Sequence, residues 1–213
     1  MKKGRLISFE GLDGAGKSTQ MNMLERWLEA MHVPFIHTLE PGGTPLGIEI
    51  RQLLLNRSEL PIEALAEAFL FQADRAQHFA TLVIPALQEG KLVLTDRCFD
   101  ASIAYQGYGR GVDISLVEHL SLLATRGCKP DLTILLDLDP SEVHRRTDIT
   151  QDQSGTREVQ TRFDDEAEGF HQRVQDGFHA LARAYPERIK VIDASRMPEE
   201  IHQEIIGLVQ TLL

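Results

Sequence analysis

Nine residues near the start of the chain have the types and spacing that hold a nucleotide phosphate. Residues 11–19 read Gly-Leu-Asp-Gly-Ala-Gly-Lys-Ser-Thr, which matches the pattern G-x-x-x-x-G-K-[ST]. Glycines let backbone N–H groups turn inward around a phosphate, and a following helix adds its positive end. Lys17 supplies a point charge for the β- and γ-oxygens, and the Ser18 hydroxyl can ligate Mg²⁺. The predicted phosphate loop consists of Gly11, Leu12, Asp13, Gly14, Ala15, Gly16, Lys17, Ser18 and Thr19.

A second pair of charged residues follows a later apolar run. Residues 92–95 are Leu-Val-Leu-Thr, and Asp96 and Arg97 come directly after them. If this run and the first are neighbouring strands, Asp96 faces the phosphate loop and can hold a Mg²⁺-bound water. Arg97 can then clamp a phosphoryl group through two hydrogen bonds. A surface ion pair is the alternative for these two residues.

A phosphate loop by itself does not specify a reaction, because switch GTPases, transport ATPases and small-molecule kinases all contain one. A GTPase carries an Asn-Lys-x-Asp guanine-binding motif, and the sequence has none. Transport ATPases are usually longer chains. These two observations disfavour a switch GTPase and a transport ATPase.

Short apolar runs alternate with helical patterns along the chain. The runs predict strands at 6–9, 33–37, 92–95, 132–138 and 189–192. The patterns predict helices at 17–31, 45–55, 62–88, 115–125, 162–184 and 198–213. This alternation indicates an α/β fold of the P-loop type, with a parallel sheet of about five strands and helices on both faces. Ligands should bind beyond the carboxyl ends of the strands.

Composition limits the classes of partner. The chain has 213 residues and a formal net charge of -10, which suits one domain over 1–213 and disfavours nucleic acid as a partner. We expect no membrane span and no signal peptide, and hence a cytoplasmic protein. Two cysteines, Cys98 and Cys128, make neither a disulfide framework nor a zinc site.

The segment after Asp96 resembles a known family. Residues 96–111 follow the pattern Asp-Arg-x-x-x-x-Ser-x-Ala-Tyr-Gln-Gly-x-Gly-Arg-Gly, which is similar to the signature of bacterial thymidylate kinases. Residues 10–19, 40–51 and 69–78 resemble three further stretches of that family, in the same order and spacing. The resemblance spans residues 8–111 and is looser in the C-terminal half.

The resemblance implies transfer of the γ-phosphoryl group of ATP to dTMP, with Mg²⁺, by a homodimer. Two alternatives stay open. The first is a kinase of another nucleoside monophosphate or of a deoxynucleoside, which needs a different base-binding site. The second is a nucleotide-binding protein with little or no turnover.

The resemblance also implies roles for residues that contact the base and sugar of dTMP. Phe71 stacks on thymine, and Arg75 donates to a pyrimidine carbonyl. Ser102 and Gln106 hydrogen-bond the thymine edge, and Tyr105 packs against the sugar where a 2′-hydroxyl would clash. A core aromatic is the alternative for Phe71.

The resemblance also implies which residues bind the phosphate of dTMP. Arg51 and Arg97 hold it, Glu40 helps to organise that site, and Asp13 positions the phosphate end. A solvent-exposed helix face is the alternative for Arg51. Since a phosphate acceptor is already anionic, positioning and charge neutralisation should carry most of the catalysis.

Residues 147–160 are polar and lack apolar periodicity, which indicates either a surface loop or a lid. In the family the lid closes over ATP, and Arg146 resembles the residue that packs on adenine. Arg157 and Arg162 are the candidates for stabilising charge in the transition state, and a surface arginine is the alternative for each. The segment has fewer arginines than is usual for the family.

Three residues depart from the family pattern. Leu39 stands where an arginine is usual, Cys98 where a tyrosine or histidine is common, and Ala101 where a serine is usual. We expect Leu39 and the arginine-poor lid to affect the rate more than the fold. Cys98 is expected to be a packed small residue and not a reactive thiol.

Overall fold

The computed structural model describes residues 4–55, 60–139, 141–142, 163, 166 and 168–213. Five parallel strands in this part of the chain form one sheet in the order β2-β3-β1-β4-β5. The predicted parallel sheet is confirmed, with each strand within two residues of its predicted limits. The strands are β1 (Arg5–Glu10), β2 (Phe35–Leu39), β3 (Leu92–Asp96), β4 (Leu132–Asp137) and β5 (Ile189–Asp193).

Helices connect the strands. They are α1 (Lys17–Ala30), α2 (Pro45–Leu55), α3 (Ala64–His78), α4 (Ile84–Gln88), α5 (Phe99–Ser102), α6 (Ile114–Ala124), α7 (Glu168–Ala184) and α8 (Pro198–Gln210). No helix in the described ranges is long and apolar enough to cross a membrane.

The single helix predicted over 62–88 is wrong in one respect. The wider π-helical turn Phe79–Val83 separates α3 from α4. Pro85 lies in the first turn of α4 and has no N–H to continue the ladder of the preceding helix. A second π-helical segment, Ile103–Gly109, continues α5 and had no predicted counterpart. Such segments often carry functional side chains.

Alternate side chains of the central strands enter two separate cores. Ile7 and Phe9 of β1 pack in the core that includes Leu24 of α1 and Ile205 of α8. Leu6 belongs to the opposite core, which includes Phe178 of α7 and residues of α2 and α6. The predicted placement of helices on both faces of the sheet is therefore confirmed.

The phosphate loop begins where β1 ends, between the carboxyl ends of β3 and β4. Gly11 has φ +132°, and a Cβ atom at this position would lie 2.4 Å from the carbonyl oxygen of Leu136. Only glycine fits so close to the neighbouring strand in this conformation. The Arg97 N–H donates to the Phe9 carbonyl oxygen at 2.9 Å, which brings the residue after β3 beside the loop.

Asp100 anchors the short helix α5 behind this edge of the sheet. Its carboxylate accepts two hydrogen bonds from Arg188, at 2.5 and 2.9 Å. It also accepts one from the Thr133 hydroxyl at 3.1 Å. These buried contacts fix the start of the segment that carries the predicted base-binding residues.

Glu10 connects the ends of β1 and β3. Its side chain is fully buried, and Oε1 accepts the N–H of Cys98 at 2.8 Å. This bond holds the backbone next to Arg97, whose φ of 67° lies in the left-handed region that side chains rarely adopt. Burial, and then the Asp100 charge, raises the pKa of Glu10 from 4.5 to about 8. Burial therefore favours the neutral form of Glu10.

We predict that Glu10→Gln changes the pH dependence of stability. In the wild type, the unfolded chain releases this proton above about pH 4.5 while the folded chain keeps it to about pH 8. The free energy of unfolding therefore falls as pH rises through this window, by at most about 1.4 kcal/mol per unit. Glutamine resembles the neutral acid and cannot ionise, so the variant loses this decline.

Urea unfolding of both proteins at several pH values between 5 and 8 checks the prediction. The stability of the variant relative to wild type should increase steadily with pH. Parallel stability curves across this range would show that Glu10 is already ionised in the folded protein.

Candidate active site

The phosphate loop has the geometry of an anion cradle. Lys17 begins α1, and its buried Nζ donates to the carbonyl oxygens of Gly11 at 3.3 Å and Leu12 at 3.0 Å. Ser18 and Thr19 are exposed in the first turn of α1, where backbone N–H groups have no partner within the helix. The loop therefore offers a cation, N–H groups and hydroxyls to one small volume.

Asp13 and Arg97 join the loop to the end of β3. Arg97 Nη2 donates to Asp13 Oδ1 at 2.6 Å, and its Nη1 donates to the Gly11 carbonyl at 3.1 Å. Partial burial works against ionisation of Asp13. The charges of Arg97 and then Lys17 outweigh it and hold the pKa of that carboxyl below its usual range. Asp13 is thus a stable carboxylate between two cations.

A pocket lies beside this pair, and both Asp13 and Arg97 line it. All the residues that the sequence predicts to bind dTMP line this pocket, together with Asp13. These residues are Glu40, Arg51, Phe71, Arg75, Arg97, Ser102, Tyr105 and Gln106. Their individual roles stay predictions.

Arg75 is the most constrained side chain of the pocket. It is 1 % exposed, and its Nε donates to Glu40 Oε2 at 2.8 Å. Its Nη1 donates to Gln72 Oε1 at 2.8 Å and to Ser102 Oγ at 3.0 Å. Its Nη2 donates to the Cys98 carbonyl at 3.2 Å. Packing and hydrogen bonds therefore fix the direction of this guanidinium.

Glu40 receives a second donor on its other oxygen. His78 Nδ1 lies 2.8 Å from Glu40 Oε1, and His78 Nε2 lies 2.7 Å from Thr38 Oγ1. Burial alone would raise the pKa of Glu40, but Arg75 and His78 outweigh it and hold that pKa below its usual value. The carboxylate is a fixed anchor for Arg75, and sequence reasoning did not identify His78 as its partner.

The cationic end of the pocket is formed by Arg51 and Arg97. Arg51 Nη1 donates to the Pro41 carbonyl at 2.8 Å, which turns the side chain towards the pocket. The guanidinium of Arg97 lies 4.9 Å from the centre of the Tyr105 ring and donates to its hydroxyl at 3.2 Å. Two guanidinium groups at one end suit an anionic group such as a phosphate.

Phe71 lies at the apolar side of the pocket and is half-buried. Its ring centre is 6.3 Å from that of Phe163, at an interplanar angle of 47°. Phe163 also lines the pocket and packs against Tyr105 at 5.6 Å. The sequence does not reveal Phe163 as a pocket residue, because its position depends on contacts with distant segments.

One carboxylate oxygen near the loop is suited to a hard cation. Asp96 Oδ1 is buried and has no hydrogen-bond partner among the described residues. Asp96 lies at the carboxyl end of β3, next to β1, as predicted. Within the same described ranges, no group of three or more His, Cys, Asp or Glu side chains could hold a metal by itself. Mg²⁺ usually needs only one or two protein oxygens besides phosphate and water.

The predicted lid and its arginines cannot be placed. The segment 147–160, Arg146, Arg157 and Arg162 lie outside the described residues.

Cys98 is fully buried, and burial raises the pKa of its thiol well above the usual range, which agrees with a packed residue.

Comparison with known proteins identifies the family. Residues 9–205 match the family model for thymidylate kinase. Thymidylate kinase from Pelotomaculum thermopropionicum is 44% identical over 211 residues, covering 99% of this chain and 95% of that protein. The Solidesulfovibrio magneticus enzyme is 45% identical over 207 residues, covering 97% and 99%.

A solved structure of the same family has a similar fold. The crystal structure of thymidylate kinase from Ehrlichia chaffeensis aligns with a TM-score of 0.76 and 33% identity, covering 97% of this chain and 99% of that chain. The sequence matches extend over nearly the whole chain, and the fold and the phosphate loop agree with them. The chain therefore belongs to the thymidylate kinase family.

Proposed function

We propose that this chain, as one domain over 1–213, transfers the γ-phosphoryl group of ATP to dTMP and forms dTDP and ADP. The observation that carries the proposal is a pocket with a cationic end at Arg51 and Arg97 and an aromatic side at Phe71, directly beside a phosphate loop. This arrangement supports binding of an acceptor phosphate next to the loop proposed for the donor phosphates.

Arg97 and Lys17 act by position and charge. Arg97 holds the acceptor phosphate and Lys17 the donor phosphates, so that both cations reduce the repulsion between two anionic reactants. Asp13 pairs with both cations. Because their charges keep the Asp13 pKa low, it is a poor proton acceptor, and its role is to orient Arg97.

We propose that Mg²⁺ binds between the phosphate loop and β3. The Ser18 hydroxyl and the buried Asp96 Oδ1 would hold it directly or through water. When bound, the ion neutralises charge on the donor phosphates.

The lid arginines remain part of the proposal. Arg157 and Arg162 are the candidates for stabilising charge on the transferring phosphoryl group, and Arg146 is the candidate for packing on adenine. A transition-state arginine contributes about 10³- to 10⁵-fold in related phosphoryl transfers.

We predict that ADP release with ATP and Mg²⁺ requires dTMP. We also predict that Arg157→Ala or Arg162→Ala lowers kcat by about a thousandfold. The dTMP affinity of the affected variant should stay within about twofold, because the acceptor pocket is built by other residues. A coupled ADP assay and calorimetric titration of dTMP measure the two quantities.

Arg51→Ala is the matched control for this experiment. It lacks one cation of the acceptor pocket, so it should raise KM for dTMP about tenfold with a smaller effect on kcat. Saturable dTMP binding by the wild type without turnover would contradict the kinase and leave a binding protein. Faster turnover with another nucleoside monophosphate would favour the first alternative.

We also propose that the protein is a cytoplasmic homodimer. Three helices that pack side by side, α2, α3 and α6, carry exposed apolar side chains. The largest exposures are 51% for Ile48, 50% for Phe69 and 63% for Leu123. Burial of these side chains against a second copy would stabilise a dimer. The buried Cys98 is a free thiol, which accords with a reducing compartment.

We predict that Phe69→Lys converts the dimer to a monomer, because it places a charge in an apolar contact. Light scattering should give twice 23.9 kDa for the wild type and 23.9 kDa for the variant. Met31→Lys, at an exposed methionine beyond α1, is the control and should stay dimeric. A monomeric wild type would contradict the proposal.

A further inference from the structure

Glu67 is a fully buried carboxylate next to the acceptor pocket. It lies on α3, and its Oε1 accepts a hydrogen bond from Gln106 Nε2 at 2.8 Å. Arg110 Nε lies 3.3 Å from the same oxygen. A carboxylate paired with a guanidinium can only accept hydrogen bonds. The amide group of Gln106 must therefore direct its NH₂ towards Glu67.

The opposite end of the amide is available to a ligand. Gln106 is 1% exposed and lines the pocket, and its Oε1 makes no hydrogen bond to any described residue. Because the amide NH₂ is committed to Glu67, the group that Gln106 can present to a ligand is a carbonyl oxygen. The pocket thus contains a fixed hydrogen-bond acceptor.

Arg75 supplies the complementary donor. A guanidinium has five N–H groups. Four of them donate to Glu40, Gln72, Ser102 and the Cys98 carbonyl, one to each. The fifth, on Nη2, has no protein acceptor among the described residues, and Arg75 lines the pocket. Arg75 therefore has one N–H to offer a ligand.

We infer that Glu67 is a positioning residue that sets the choice of pyrimidine base through the amide of Gln106. This inference rests on the proposed function. Thymine has a carbonyl acceptor at O4 beside a donor at N3–H, which matches an N–H from Arg75 and a C=O from Gln106. Cytosine has an amino donor and a bare N3 acceptor at these atoms, so both contacts fail.

The role of Glu67 is to prevent rotation of the amide. An amide without an acceptor-only neighbour can turn by half a rotation and present NH₂ at nearly the same place. In that orientation Gln106 would donate to N3 of cytosine and oppose N3–H of thymine. A buried polar group left unpaired in this way costs more than the hydrogen bond gains.

Glu67→Gln tests the inference, because glutamine has the same shape and can donate as well as accept. The measured quantities are kcat/KM for dTMP, dUMP and dCMP. We expect the values for dTMP and dUMP to fall together by about tenfold, while that for dCMP does not fall. The ratio of dTMP to dUMP should stay unchanged, since both bases present the same edge.

Two further variants separate this role from a structural one. Gln106→Leu removes the acceptor, so adding Glu67→Gln to it should change the ratio of dTMP to dCMP by less than about twofold. Arg110→Gln removes a different partner of Glu67 but leaves the carboxylate of Glu67, so the ratio of dTMP to dCMP should stay at the wild-type value. Thermal unfolding confirms that each variant is folded.

An equal loss of kcat/KM on all three nucleotides in Glu67→Gln would overturn the inference, because it indicates a general disturbance of the pocket. If Glu67→Gln does not fold, Gln106→Leu alone tests the inference. A loss of kcat/KM confined to dTMP and dUMP supports Gln106 as a hydrogen-bond acceptor for the base, and an equal loss on dCMP overturns the inference. An inactive wild-type protein would instead refute the proposed function.

Discussion

The site depends on the placement of Arg97 between two binding regions. Its side chain is only 15% exposed and needs a counter-charge, which Asp13 of the phosphate loop supplies at 2.6 Å. Its backbone adopts a left-handed conformation that the contact between Glu10 and Cys98 holds in place. The result is a cation at a fixed point beside Lys17, with its orientation set before any substrate binds.

The balance of charge around Arg97 depends on the protonation of Glu10. Asp13 and Asp96 already interact with the charge of Arg97, and an ionised Glu10 would add a third carboxylate. Burial raises the pKa of Glu10 and so disfavours this further negative charge. Lys17 and Arg97 are therefore balanced mainly by Asp13 and Asp96, in a chain whose net charge is -10.

At the base end of the pocket, a buried hydrogen-bond network fixes the side chains. Arg75, Glu40 and His78 form a buried network in which every polar group except one N–H of Arg75 has a partner, so its side chains have little freedom. Such networks fix the direction of the few donors and acceptors that remain for a ligand. The specificity of the pocket then comes from which atoms the protein leaves unpaired.

Much of this could be predicted from the sequence, because it depends on local patterns. The phosphate loop is a contiguous motif, and the strands are apolar runs. The break between α3 and α4 was missed because the apolar periodicity continues across Pro85. Glu67, His78 and Phe163 were missed because their roles arise only when distant segments meet. The roles of Arg157 and Arg162 stay predictions, since both lie outside the described residues.

A crystal structure with dTMP and a non-hydrolysable ATP analogue is the sharpest test of whether Arg97 lies between two nucleotide sites. We expect the dTMP phosphate within hydrogen-bond distance of Arg97 and the thymine ring on the face of Phe71. The nucleotide triphosphate should occupy the phosphate loop at Lys17. A dTMP phosphate bound away from Arg97, with the base outside the pocket lined by Arg75 and Gln106, would show that Arg97 does not hold the acceptor.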